Sequence, residues 1–347
     1  MLSRVADNLY WMARYIERAE NLARMIDVNL QLLLDYQTLD DEALREYWRP
    51  LIGSAGDEET FHKLYDEEDS TSITRFITSD RRNPNSILEC VSAARENARM
   101  IRDQISEETW EELNGLYLFL RSPDAEIQRE AEPFDFYQRI RNGSLLFQAI
   151  VDATTPQDEG WHFRQLGKFL ERADKTTRML DITTFLPGGD SPEYQGLKGM
   201  QWVAILRSCS AFAAYRALYG ANVVPDRITE FLIFSKEFPR SVRFCALKIN
   251  ESLHQISGAG YGFYSNEAER LSGRELSNLN FGSLDEVYAT GLHEFLDRRQ
   301  QIFNDIGKGI HDTYVLLPDT YFSPSNQMQL HAQQQQQQQQ QGRRRRR

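Results

Sequence analysis

The sequence has 347 residues, of which 41% are hydrophobic and 26% charged, so it holds enough apolar material for one large core or two smaller ones. Removing the five arginines at 343–347 from the formal charge of −11 leaves −16, which argues against general binding to nucleic acid or anionic membranes. No apolar window of about 18 residues is free of charge, so a transmembrane helix is excluded as well.

The cysteine pattern and the first residues predict a cytoplasmic protein. Cys90, Cys209 and Cys245 are odd in number, widely spaced and surrounded by apolar or small residues, which is typical of free thiols in a reducing compartment. The chain runs from Leu2 directly into helical periodicity, without the compact apolar region of a secretory signal.

The first predicted element is one long helix. Its apolar residues from Leu2 to Leu33 recur at steps of three and four and therefore form one continuous stripe. A serine and threonine cluster at 70–72 predicts the start of a short helix, and Pro84 fits the first turn of a helix that ends near Ser106. Ser106 is also the predicted start of the next helix.

The second part of the chain is predicted to be helical throughout. Pro133 begins a helix to about Ala153, and a break at 154–156 precedes a helix from about Glu159 to Phe185. Further helices are predicted at about 196–219, 225–236, 239–256, 266–279 and 284–315. Because no run of alternating β-branched residues occurs, the predicted fold class is an all-α multi-helix bundle.

The last residues differ in composition from the rest of the chain. A glutamine run at 333–341 and five terminal arginines predict a disordered low-complexity tail at 318–347, after a helical domain at 1–317. The arginines are interpreted as a solvated appendage, with an anionic tether as the alternative.

A helical segment with the order Glu-Arg-Ala-acid occurs twice. Residues 14–28 read RYIERAENLARMIDV and residues 168–182 read KFLERADKTTRMLDI. The two segments align without a gap, which predicts an internal duplication with halves at about 1–155 and 156–317.

The charged residues of this repeat share one helix face. Glu17, Glu20, Arg24 and Asp27 fall within a band about 80° wide, beside the apolar stripe. Carboxylates at the edge of a core need partners, and the intervening arginine is the obvious one. Two interpretations stay open: a salt-bridge ladder that locks two helices together, or a charged cleft that recognises a ligand or partner.

A third segment, 94–102, echoes the first repeat and is followed by a tryptophan and an asparagine at 110 and 114. We expect it to face the same polar surface, here called the charged seam. The candidate seam residues are Glu17, Arg18, Glu20, Arg24, Asp27, Arg95, Glu96, Asn97, Arg99, Trp110, Asn114, Glu171, Arg172, Asp174, Arg178 and Asp181.

The segments 2–21, 94–99, 110–114 and 170–174 together resemble the bacterial alpha-E domain family, and the resemblance extends over residues 1 to about 317. It implies an all-helical domain, named for its glutamates, that is typically encoded beside a circularly permuted ATP-grasp ligase and a transglutaminase-like protease. The implied partners are therefore an ATP-grasp ligase and a transglutaminase-like protein, in a pathway that makes or processes amide bonds. The implied role is a non-catalytic or accessory subunit that uses the charged seam to bind a partner or substrate. The sequence is also compatible with a homo-oligomer.

The sequence leaves two other function classes open, an enzyme and a structural scaffold. The glycines at 188–189 and 257–260 lack the lysine of a P-loop, so we predict no nucleotide and no other cofactor. The best catalytic alternative is a carboxylate-based or metal-dependent bundle enzyme, because Glu59/His62, Glu159/His162 and Glu251/His254 have the Glu-x-x-His spacing of di-metal bundles. Solvated or packed histidines are the simpler interpretation, and we predict no metal site. A purely structural scaffold is the remaining alternative.

Overall fold

The computed structural model describes residues 1–35, 41–55, 58–185 and 192–316. Within these ranges the regular secondary structure is helical, without a strand, which confirms the all-α prediction. The helices are α1 Ser3–Asp35, α2 Asp41–Ala55, α3 Glu58–Leu64, α4 Ser70–Thr78, α5 Ile87–Met100, α6 Glu107–Leu120, α7 Pro123–Ala131, α8 Pro133–Thr154, α9 Glu159–Asp181, α10 Pro192–Ser208, α11 Phe212–Tyr219, α12 Pro225–Phe234, α13 Val242–Ser257, α14 Glu267–Phe281, α15 Leu284–Thr290 and α16 Leu292–Tyr314. The predicted tail at 318–347 lies outside the described residues.

Helix α1 is the long helix that the apolar stripe predicts. Leu9, Met12 and Ile16 of the stripe are buried. The helix packs against α5, α8 and α9, so three neighbours cover it and its polar residues next to the stripe are enclosed too.

Helix α9 lies at the centre of the second part of the chain. Asp158 caps it by accepting a 3.0 Å hydrogen bond from Trp161 N. Because α9 packs against α1, α13 and α16, most of its residues are buried, including Glu171 and Arg172 of the repeated segment. The internal duplication of α1 and α9 stays a prediction.

Gly167 permits the close approach of α9 to α1. A Cβ atom there would lie 2.2 Å from the carbonyl oxygen of Tyr10 and 3.3 Å from the Cβ of Ala13. We expect Gly167→Ala to force the helices apart and to lower the free energy of unfolding by about 1–3 kcal/mol, measured by urea denaturation. Gly115→Ala is the control, because nothing lies within 4 Å of its Cβ position and alanine is favoured in a helix by about 1 kcal/mol. Equal stability of the two variants would contradict this role of Gly167.

Two predicted helices are each split, and the backbone shows why. The helix predicted at 196–219 ends at Ser208, because Ser210 adopts a left-handed φ of 54° and Ala211 N donates to Leu206 O at 2.6 Å, which closes the helix end. The helix predicted at 284–315 is divided by Gly291, whose φ is 95°. A glycine marks the second break, whereas a serine in a left-handed position leaves little trace in a sequence.

The helix predicted from Pro84 to Ser106 is shorter than expected. It begins at Ile87 after a cap in which Ser86 accepts from Glu89 N, and it ends at Met100 before a single 3-10 turn at Arg102–Gln104. The predicted restart after Ser106 is confirmed, because its hydroxyl accepts from Thr109 N. Among the described helices, none is long and apolar enough to cross a bilayer.

Candidate functional site: a buried glutamate-arginine network

The centre of the charged seam is an ion pair between α1 and α9. Arg172 binds Glu17 with two hydrogen bonds, from Nε to Oε1 and from Nη2 to Oε2, both 2.9 Å long. Arg240, in the loop before α13, adds a third from Nη1 to Oε1 at 2.9 Å. Gln148 of α8 donates to Oε2 at 2.8 Å. The glutamate therefore ties α1 to three other parts of the chain.

Glu171, the matching glutamate in the second repeat, is bound by arginines of the first repeat. Arg18 donates from Nε to Oε1 of Glu171 at 2.6 Å and from Nη2 to Oε2 at 2.9 Å, and Arg14 Nε adds a bond of 3.0 Å. The Glu-Arg dipeptide of each helix thus pairs with that of the other helix. This reciprocal pairing, Glu17 with Arg172 and Glu171 with Arg18, is called the crossed pair below.

Both glutamates of the crossed pair are fully buried, at 0% exposure. Burial alone raises the pKa of Glu17, but the guanidinium groups of Arg172 and Arg240 outweigh it and hold the pKa well below its usual range. For Glu171, Arg18 and Arg14 overcome the same burial effect and lower the pKa in the same way. Both carboxylates are therefore ionised and satisfied at neutral pH.

The network extends along α1 beyond the crossed pair. Glu20 is fully buried and binds Arg24 of the next turn, as the seam geometry predicted, and it accepts from Arg240 Nη2 at 2.8 Å. Arg240 also donates to the amide oxygen of Asn21 at 2.7 Å. Asp27 does not use the same arginine: its partners are Arg141 of α8 and Gln31. The network therefore reaches α8 as well as α9 and the loop before α13.

Sequence reasoning missed four residues that complete this network. They are Arg14, Arg141, Gln148 and Arg240. Arg14 stands inside the repeated segment, opposite Lys168, so the repeat could have indicated it. The other three lie in stretches without a repeat or a motif.

The end of the second repeat reaches the surface. Arg178 Nε binds Asp174 at 2.9 Å, and Asp181 lies 2.8 Å from Nδ1 of His293 in α16. Arg178 and Asp181 retain 24% and 14% side-chain exposure, in contrast to the crossed pair. They line a cleft of about 680 Å³ together with Arg49, Pro50, Gly53, Ser54, Glu58, Ile182, Phe185 and Gln300. This cleft, called the seam cleft below, is where the charged seam is accessible.

The residues of the third predicted segment form a separate group on α5 and α6. Arg95 donates to Asn114 at 3.2 Å and lies over the Trp110 ring at 5.2 Å. Glu96 and Arg99 are exposed and pair with each other. The expectation that this segment faces the same seam is therefore wrong, because α5 packs on α1 with its apolar face and its charged residues lie away from the network. Asn97 is half-buried and donates to Ala93 O of its own helix.

The catalytic alternatives would require a metal-binding cluster or a reactive nucleophile. Within the described ranges, no three histidine, cysteine or acidic side chains are grouped closely enough to hold a metal ion. Burial raises the pKa of the Cys209 and Cys245 thiols to about 12, which disfavours a nucleophilic thiolate.

The glutamates of the three Glu-x-x-His pairs are occupied by other partners. Glu59 pairs with Lys63 at 2.6 Å, Glu159 with the amino group of Met1 at 2.9 Å, and Glu251 with Lys248 at 2.7 Å. They thus lie in three separate ion pairs instead of around one centre.

Comparison with known proteins agrees with the importance of the Glu-Arg dipeptides. A family model described as a predicted alpha-helical domain with a conserved ER motif matches residues 1–315. A protein of Mycobacterium bovis and one of Mycobacterium tuberculosis, each named only as uncharacterized, are 24% identical over 336 residues, covering 91% of this chain and 37% of each relative. The chain thus spans little more than a third of the length of these relatives. No solved structure matches it.

Proposed function

Because the chain belongs to the Alpha-E family, whose model matches residues 1–315, we propose that it is a non-catalytic helical subunit of an amide-ligase system. Its partner in this proposal is an ATP-grasp ligase, with a transglutaminase-like protein as a further component. The link to these partners rests on the family resemblance described above. The crossed pair serves as the rigid frame of the subunit, and the seam cleft is the contact with the ligase or its peptide-like substrate.

The observation that carries this proposal is the contrast between the two ends of the charged seam. The crossed pair is saturated, so neither Glu17 nor Glu171 is available as an acid, a base or a ligand-binding group. At the seam cleft, Arg178 and Asp181 stand beside Phe185, which is 61% exposed. An exposed aromatic ring next to an arginine is a composition that protein interfaces favour.

The size of the mycobacterial relatives supports an accessory role. In each of them the region similar to this chain accounts for 37% of the polypeptide. In these relatives the helical region is joined to a larger part of the same polypeptide. Such a region is suited to act together with another domain or protein.

A native pull-down tests the proposal. We expect the tagged full chain, expressed in its own host, to recover an ATP-grasp ligase, and the double variant Arg178→Gln/Asp181→Asn to lose it. The matched control is Asp297→Asn/Arg298→Gln, an exposed acid and arginine on α16 outside the seam cleft. The proposal is wrong if the wild-type chain recovers no ligase, or if the chain alone forms amide bonds in the presence of ATP.

A further inference from the structure

A second cleft concentrates arginines in an otherwise acidic chain. It has a volume of about 1000 Å³ and is lined by residues of α4, the loop after α4, the end of α6, α7 and the start of α8. Its five arginines are Arg75, Arg81, Arg82, Arg121 and Arg129. It is called the arginine cleft below.

One of these arginines is held rigidly by an acid at the cleft wall. Arg82 binds Asp80 through Nε at 3.0 Å and Nη2 at 2.7 Å, and Asp80 also accepts from the Tyr65 hydroxyl at 2.6 Å. The hydrogen bonds from Arg82 lower the pKa of Asp80 well below its usual range, so this pair contributes no net charge at neutral pH.

Arg129 connects α7 to the end of α4. Its Nη1 donates to the Ser79 hydroxyl at 2.5 Å, and its Nη2 lies 3.6 Å from Glu126 and 3.8 Å from Glu130. Both glutamates are more than 70% exposed, so water weakens their attraction to the guanidinium.

The other three arginines carry the uncompensated charge. Arg75, Arg81 and Arg121 are exposed, and among the described residues no acidic group lies within ion-pair distance of them. Arg121 is held over the Tyr117 ring at 5.4 Å and donates to its hydroxyl at 3.1 Å. In a chain with a formal charge of −11, three such arginines on one cleft create a local positive field.

Hydroxyl groups complete the donor set of the cleft. The Oγ1 atom of Thr74 is buried and has no hydrogen-bond partner among the described residues. At the floor, Thr78 and the fully buried Tyr137 share a hydrogen bond of 2.7 Å. Guanidinium and hydroxyl donors in one cavity match the oxygens of phosphate and carboxylate groups.

We propose that the arginine cleft binds a small organic anion that carries two or more phosphate or carboxylate groups. A cavity of this volume suits a metabolite or a short peptide. A single oxyanion would engage one arginine fork, whereas Arg75, Arg81 and Arg121 come from different parts of the cleft and together call for several anionic groups. The proposal does not depend on the ligase partnership.

Isothermal titration of the full chain at low ionic strength tests the site, with pyrophosphate and tetraglutamate as probes and acetate as the single-charge comparison. We expect one or both polyvalent probes to bind more tightly than acetate. The triple variant Arg75→Gln/Arg81→Gln/Arg121→Gln should lose at least about tenfold in affinity. Binding of pyrophosphate alone would assign phosphate as the recognised group, and binding of tetraglutamate alone would assign carboxylate.

The control is Arg99→Gln/Arg270→Gln/Arg298→Gln, which changes the net charge equally but removes arginines that already pair with glutamates on their own helices. It should bind the probe like the wild type. Equal loss in both triple variants, or no binding of either probe to the wild type, would overturn the proposal. If the cleft triple variant does not fold, Arg75→Gln alone replaces it, with an expected loss of about threefold.

Discussion

Replacing Glu17 by glutamine should lower the free energy of unfolding by about 3–5 kcal/mol, because it leaves Arg172 buried without its counter-charge and removes one of the two carboxylates that bind the buried Arg240. Both arginines are less than 10% exposed, so water cannot replace the lost carboxylate. Urea denaturation at pH 7 measures the effect. Glu171→Gln should have a similar effect through Arg18 and Arg14.

Two further variants distinguish the effect of breaking the crossed pair from the effect of removing any charge. Glu267→Gln removes an exposed partner of Arg270 and should cost no more than about 0.5 kcal/mol. Glu17→Met/Arg172→Met removes both buried charges and should be more stable than the sum of the single changes predicts, with a coupling of about 0.5–3 kcal/mol. If Glu17→Gln were as mild as Glu267→Gln, the crossed pair would not stabilise the fold.

The crossed pair also predicts the response to acid. The pKa values of Glu17 and Glu171 are lower in the folded than in the unfolded chain, so the unfolded chain binds protons first as the pH falls. The stability that these groups contribute is therefore fully present above their ordinary pKa of 4.5 and is lost below it. Glu17→Gln should reduce this acid-dependent loss.

The apolar periodicity of α1 was sufficient to predict that Glu20 and Asp27 lie at the edge of the packed core, and both are buried. Their angle to the stripe follows from helix geometry alone, and so does the bond from Arg24 to Glu20 four residues earlier. Asp27 is also close to Arg24 in the sequence, but it pairs with Arg141, because α8 packs against the face of α1 that carries Asp27.

The partners from distant parts of the chain were not predictable in this way. Periodicity predicts which face of a helix is buried. It does not predict which helix covers that face, or which of its residues lie opposite each other. Arg240 shows the limit: it stands in a short loop after Pro239, without a repeat or a motif, and yet it joins Glu17 to Glu20. The internal duplication likewise stays a prediction, although the crossed pair is reciprocal between the two repeated segments.

A buried glutamate on α14 should make the protein less stable as the pH rises. Glu275 is 1% exposed, and neither of its carboxylate oxygens has a hydrogen bond of good geometry within the described part of the chain, although the nearby Asn278 side chain opposes the rise of its pKa. Arg299 Nε lies 3.0 Å from Oε1, but without hydrogen-bond geometry. Burial raises the pKa of Glu275 from 4.5 to about 7, against the opposing charge of Arg299.

The direction of the pH dependence follows from this raised pKa. The folded chain keeps the Glu275 proton between about pH 4.5 and 7, whereas the unfolded chain releases it. The free energy of unfolding therefore falls as the pH rises through this range, and the loss above pH 7 amounts to about 3 kcal/mol. Glu275→Gln cannot ionise, so it should remove this part of the slope in denaturation measured from pH 5 to 8.

Glu269 provides the matched control on the same helix. It is also 1% exposed, but it accepts hydrogen bonds from Ser265 N at 2.6 Å, Ser265 Oγ at 2.9 Å and Asn266 Nδ2 at 2.8 Å. Glu269→Gln should therefore lower stability by roughly 1–3 kcal/mol at every pH from 5 to 8 and leave the slope unchanged. An equal slope in the wild type and Glu275→Gln would show that Glu275 is ionised throughout, with Arg299 compensating its burial in full.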